Sequence, residues 1–124
     1  AQFAKPEDAV KYRQSALTVM ANHMGRLSAM AKGERPFDAA AAQASARVID
    51  MVGQLPWEAF VAGTSSKGLK TEPWADAADF KARSDRLMGE TAKLVQAAGS
   101  LDTLRAQVGA TGAACKNCHE KYRN

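Results

Sequence analysis

The sequence predicts an all-α protein, an antiparallel up-down-up-down four-helix bundle formed by a single domain over residues 1–124. Three observations predict it. Alanine is abundant and β-branched residues are few, which favours helix over sheet. Apolar residues recur at alternating spacings of three and four in four successive stretches, the pattern of helices that each bury one face. Two of the three connections are short, so the helices they join must turn back on each other.

The first helix opens at Pro6, a favoured first helical position, with Glu7 and Asp8 where negative charge suits the helix dipole. Val10, Leu17, Met20, Met24 and Leu27 form its apolar stripe, interrupted by Arg13, and the helix fades before Gly33 and Pro36. Asp38 is the expected N-cap of the second, which carries Ala41, Ala44, Val48, Met51 and Leu55 on one face before Pro56 stops it. The third starts near Asp76 and shows Phe80, Leu87, Leu94 and Ala98, ending at Gly99. Ser100 caps the fourth, whose stripe is Leu101, Leu104, Val108, Thr111, Cys115, Cys118 and Tyr122. Between the second and third lies a long connection from Pro56 to Ala75, holding Trp57, Phe60 and Trp74. Connections of that length are often functional, and aromatic residues within one imply that it packs onto something.

Hydrophobic residues make up 46% of the chain, yet no window approaches the ~18 uninterrupted apolar residues of a membrane span. Glycine, proline and serine dominate nowhere, so a disordered chain is not expected. Seventeen Lys and Arg against thirteen Asp and Glu leave +4, but the charges are interspersed. A nucleic-acid-binding arm needs a basic cluster, and none is present. No catalytic acid–base pair, nucleophile constellation or phosphate loop is visible, so an enzyme with turnover is not expected.

Chemistry concentrates at the C-terminal end. The two cysteines of the chain stand in Cys115-Lys116-Asn117-Cys118-His119, the attachment signature of c-type haem. On a helix, positions i and i+3 share a face, so both thiols reach one edge of a porphyrin. His119, at i+4 from Cys115, can then bind iron through an imidazole nitrogen. A thioredoxin-like redox pair belongs near a βαβ unit, and zinc would need a fourth ligand beyond these three and the distant His23. One covalent haem c per chain is the expected cofactor.

A four-helix chain of this length with CxxCH near its C-terminus resembles the cytochrome c-prime family, the class II c-type cytochromes. The resemblance spans the whole chain and includes KPEDAVKYRQSAL at the start, Leu55-Pro56-Trp57-Glu58-Ala59-Phe60, and the closing CKNCHEKYR. It implies that the haem is held near the C-terminal helix, with His119 as the metal ligand.

The same resemblance implies roles for further residues. Arg13 breaks an apolar stripe, where an unpaired buried arginine would be costly. Its match in the family lies near a haem propionate; the alternative is an arginine that snorkels to the bundle end. Gln14 would lie at the haem edge, or be a plain surface residue. Leu17 would cover the distal face of the iron, leaving it five-coordinate on His119 alone. Met20 is the rival sixth ligand, since low-spin relatives use a first-helix methionine, and otherwise lines the pocket. Trp57 and Phe60 would pack around the haem. Arg123, at i+4 from His119, would lie beside the proximal histidine, or simply complement the helix dipole. His23 falls off the core stripe and reads as a surface or dimer-interface residue, since family members commonly pair through the first two helices.

The expected function is that of a periplasmic haem protein, its signal peptide already removed, with a high-spin iron that takes NO and CO at an apolar distal site. Single-electron transfer to an unidentified redox partner is compatible with that role. The alternative is a low-spin, six-coordinate electron carrier with Met20 as sixth ligand.

Overall fold

A computed structural model describes residues 2–123 and contains the helices α1 (Pro6–Ala31), α2 (Ala39–Val52), α3 (Ala77–Ala97) and α4 (Leu101–Tyr122). Among the described residues the β-structure is one isolated antiparallel bridge, between Leu69 and Arg123. Local chemistry starts each helix. Pro6 opens α1, followed by Glu7 and Asp8 in its first turn. Asp38, Asp76 and Ser100 each accept a backbone N–H three residues on, from Ala41, Asp79 and Thr103. Each such cap satisfies an otherwise orphaned donor and is worth about 1 kcal/mol. After α1, Gly33 takes a φ of 78°, a left-handed turn in which its N–H reaches Met30 O.

One buried cluster fixes the topology. It joins Leu27 and Met30 from the close of α1 and Ala42, Ala46 and Ile49 from α2. Leu94 and Ala98 from the close of α3 and Leu104 from the opening of α4 complete it. Ends of α1 and α3 thus meet starts of α2 and α4, so neighbouring helices are antiparallel, as the stripes predict.

The inner face of α2 differs from the expected one. Ala42, Ser45, Ala46 and Ile49 point inward, whereas Ala41, Ala44, Met51 and Leu55 are exposed and Val48 is half-buried. Gln43, Arg47 and Asp50 share one side of the helix, and the buried face lies one position on from the expected stripe. Small residues win the inner face because they let the helix axes approach closely. Leu55 also lies beyond the end of the helix, at Val52.

At 14 residues α2 is roughly 21 Å long, about 10 Å shorter than the 21-residue α3. The connection that follows occupies the vacated side, and it is more ordered than expected. Two 3₁₀ turns, Pro56–Ala59 and Pro73–Asp76, each open on proline. Trp57 Nε1 donates to Gly53 O at 2.7 Å, and Tyr12 Oη of α1 donates to Glu58 Oε2 at 2.7 Å. Gly53 makes the junction. A Cβ there would stand 2.5 Å from Ile49 O and 3.3 Å from Met20 Cε.

Gly53→Ala is therefore expected to lower stability by about 1–3 kcal/mol through overpacking. Gly25→Ala, on the exposed side of α1 with nothing within 4 Å of a new Cβ, should raise it by about 0.5–1 kcal/mol. Thermal unfolding of the two variants beside the parent checks both. An unchanged melting point for Gly53→Ala would show that the junction has room.

Candidate functional site

The CxxCH motif occupies the last two turns of α4. Both cysteines are free thiols, Cys118 buried and Cys115 half-buried. Cys115 packs on a cluster of Met20 from α1, Leu87 from α3 and Ala114, with Leu17, Val52 and Trp57 beside it. Cys118 lies with Phe80 of α3 and Tyr122, against Trp57 and Phe60. Burial pushes both thiols above the usual cysteine range, so they stay protonated at neutral pH. His119 is exposed, yet partial desolvation and then the charge of Arg123 hold its imidazole below the ordinary histidine value. A neutral imidazole keeps a nitrogen lone pair for a metal.

Arg13 is wholly interior, only 1% exposed, so it does not snorkel. Its Nη1 donates to Ala59 O at 3.0 Å and to Thr64 Oγ1 at 2.6 Å, and its Nη2 donates to Thr64 O. The guanidinium stands 4.7 Å from the centre of the Phe60 ring. These partners are neutral oxygens and a ring face. Among the described residues no carboxylate pairs with this buried cation, and desolvation pulls its pKa down. Such a group favours a carboxylate as its neighbour.

Leu17 is half-buried beside Cys115, and Met20 is buried with its terminal methyl directed at Gly53. Gln14 is exposed. Trp57 and Phe60 stack with ring centres 6.1 Å apart, and Phe80 meets Phe60 at 4.8 Å and Tyr122 at 5.0 Å. Phe80 and Tyr122 stood on the predicted stripes, but nothing marked them as site residues. Ala59 and Thr64 gave no sequence signal at all, because a loop acceptor has no periodicity. Arg123 is the residue just past α4, and its N–H closes an i+4 helical bond on His119 O at 3.1 Å. It leaves α4 at φ −111°, ψ 136° and bridges Leu69, although its charge still reaches the imidazole. His23 lies between α1 and α2, half-buried, with Nδ1 3.0 Å from Ser45 Oγ. That contact ties His23 to α2.

Two thiols one turn apart, an imidazole after them, an aromatic and aliphatic wall and a buried cation that no carboxylate among the described residues pairs with fit a haem with propionate groups. Among the described residues, no three His, Cys, Asp or Glu side chains converge as a ligand set for a bare metal ion. Nor is any helix long and apolar enough to cross a membrane.

Asp79 ties α3 to the end of α4. Its Oδ2 accepts from Tyr122 Oη at 2.6 Å and Arg83 Nε at 2.8 Å, with Lys121 Nζ at 3.0 Å. The Tyr122 hydroxyl, then the Lys121 ammonium, hold the Asp79 carboxyl down at about 2. Burial, then the bond to Asp79, pushes Tyr122 up to about 12.

Comparison with known proteins agrees with this geometry. The family model described as Cytochrome C′ matches residues 8–123. Cytochrome c′ of Alcaligenes xylosoxydans xylosoxydans is 51% identical, and that of Rubrivivax gelatinosus 45%, each over 98% of both chains. The solved nitric oxide complex of a variant of cytochrome c prime from Alcaligenes xylosoxidans superposes with a TM-score of 0.92 at 49% identity, covering 98% of each chain.

The two shifted groups set opposite edges of a pH–stability profile. Asp79 binds its proton more weakly folded than unfolded, where 3.8 is ordinary, so its stabilisation is complete above about pH 4 and fades toward pH 2. Tyr122 binds its proton more tightly folded, so its share persists below about pH 10 and fades toward pH 12. In unfolding across pH, Asp79→Asn should be less stable than the parent at pH 6 and converge on it near pH 2. A constant gap across the acid range would remove Asp79 from that role.

Proposed function

Because the chain belongs to the cytochrome c′ family, whose members carry covalently attached haem c, we propose that Cys115 and Cys118 hold the haem by thioether bonds and His119 ligates its iron. When bound, the haem supplies an iron with an open sixth position for NO or CO and a one-electron couple. The carrying observation is how Leu17 and Met20 are held in the wall on which Cys115 packs. Leu17 stands beside Cys115 and has no donor atom, so it covers without ligating. Met20 brings the thioether, but its end is turned to Gly53. The Leu17, Met20 and Leu87 wall offers no hydrogen bond, which disfavours polar bound O₂ more than NO or CO. Nitric oxide complexes solved for the Alcaligenes xylosoxidans relative support NO as the ligand.

The remaining side chains divide the other tasks. Arg13 receives a propionate carboxylate, Trp57 and Phe60 pack on the macrocycle, and Gln14 lies at its solvent edge. Arg123 sets the charge beside His119. The protein binds gases and passes single electrons to an acidic redox partner, with no turnover chemistry of its own. Thioether attachment of haem is made outside the bacterial cytoplasm, which supports a periplasmic setting.

The first two helices supply a pairing surface in this reading. Val19 at 40%, Met51 at 72% and Leu55 at 38% exposure are large apolar side chains presented to water on α1, on α2 and just beyond its end. The outward Ala41 and Ala44 extend this surface along α2. A homodimer through α1 and α2 would cover them.

Optical spectra of the oxidised, reduced and CO-treated protein test the site. A broad high-spin reduced Soret band that sharpens under CO is expected, whereas a sharp low-spin spectrum indifferent to CO would make Met20 or another side chain the sixth ligand. Leu17→Ala should bind CO about tenfold faster or more, the effect of relieving some 1.4 kcal/mol of steric barrier. Unchanged association would acquit Leu17 as the gate. Sedimentation equilibrium tests the surface. The parent should have about twice the 13.2 kDa chain mass, and Val19→Glu with Met51→Lys should halve it.

A further inference from the structure

The turn that carries His119 is fastened from outside α4. A helix end leaves its last carbonyls without partners in the helix. Here Glu120 O accepts from Lys70 Nζ at 2.7 Å, and Tyr122 O accepts from the Lys70 backbone N–H at 2.9 Å. The bridge from Leu69 to Arg123 continues this contact, and His119 O accepts the Arg123 N–H at 3.1 Å. On the opposite flank, Tyr122 Oη is held by Asp79, and Arg83 Nη1 donates to Asn117 O at 2.6 Å. The long connection grips one side of the turn and α3 grips the other.

We propose that Lys70 and the Tyr122–Asp79 pair are positioning residues for His119, holding the last turn of α4 so that the imidazole meets iron in one orientation. The proposal rests on His119 being the iron ligand. Neither residue touches the metal. Their effect is that of outer partners which fix the direction of a ligating ring and so the strength of its bond. A free helix terminus frays, and a frayed turn would present the ring over a spread of distances and tilts. Lys70 is suited to the task because one residue supplies two donors, backbone and ammonium, to two carbonyls of the same turn.

The test compares the haem-loaded parent with Lys70→Met, Lys70→Arg and Tyr122→Phe. Tyr122→Phe removes the tie to Asp79 without changing charge or ring packing, and Lys70→Arg keeps a donor in reach of Glu120 O. Resonance Raman of the ferrous protein reads the iron–histidine stretch, and hydrogen exchange by mass spectrometry reads the 117–123 segment. Lys70→Met and Tyr122→Phe are expected to broaden that band and move it to lower wavenumber, with exchange about tenfold faster. Lys70→Arg should restore both. Faster exchange with an unmoved band would reduce these contacts to structural support and overturn the proposal, as would no change in either. A parent protein without an iron–histidine band would instead overturn the five-coordinate reading. The midpoint potential of Tyr122→Phe then decides, a shift from the parent upholding the positioning role and an identical value ending it.

Discussion

Because α2 stops at Val52, the other three helices run on past it, and the inner faces they present there need a cover. Gly53 allows the chain to leave the helix hard against Met20 and Thr91, and Pro56 forbids a return to it. The connection therefore descends along the vacant side and brings Trp57, Ala59 and Phe60 against α1, α3 and α4. One end of the molecule becomes a closely packed aliphatic bundle of four helices. The other becomes three helices and a loop around thiols, aromatic rings and a cation. Length difference, more than any special fold, makes the space in which chemistry can be housed.

Arg13 shows how that end is organised. A buried charge costs several kcal/mol in desolvation, and neutral oxygens repay this less well than an anion does. Ala59 O and Thr64 nonetheless hold the guanidinium in place, with Phe60 over its face. The arginine is thus both the anchor of the connection on α1 and a preformed site for negative charge. The proposed propionate would supply the anion that these neutral oxygens do not.

Most of the fold is legible in the sequence because caps and periodicity act locally. Pro6, Asp38, Asp76 and Ser100 mark helix starts through their own side chains, and the stripes of α1, α3 and α4 contrast with polar neighbours. α2 is misread because an alanine run looks alike on every side, and tertiary packing chose the face. At the site, Cys115, Cys118 and His119 are legible from spacing alone, and Arg13 from its conflict with an apolar stripe. Thr64, Ala59 and Lys70 are not. They act through backbone or hydroxyl contacts between segments some fifty residues apart, and nothing local announces them. Arg123 is legible as the i+4 partner of His119, whereas its extended backbone and its bridge to Leu69 are not.

The bridge between Leu69 and Arg123 bears on how the molecule comes into being. Within the aliphatic end α1 meets α2 and α3 meets α4, each the next helix along the chain, and the two pairs also close on each other. Such neighbours meet early and at small entropic cost. The opposite end is shut by the contact between Leu69 and Arg123, two segments some fifty residues apart, and closures of that span are slower. Each helix hairpin can therefore form ahead of the contact that seals the motif end. Both cysteines stand at the end that this contact closes, so their thiols stay within reach until it forms.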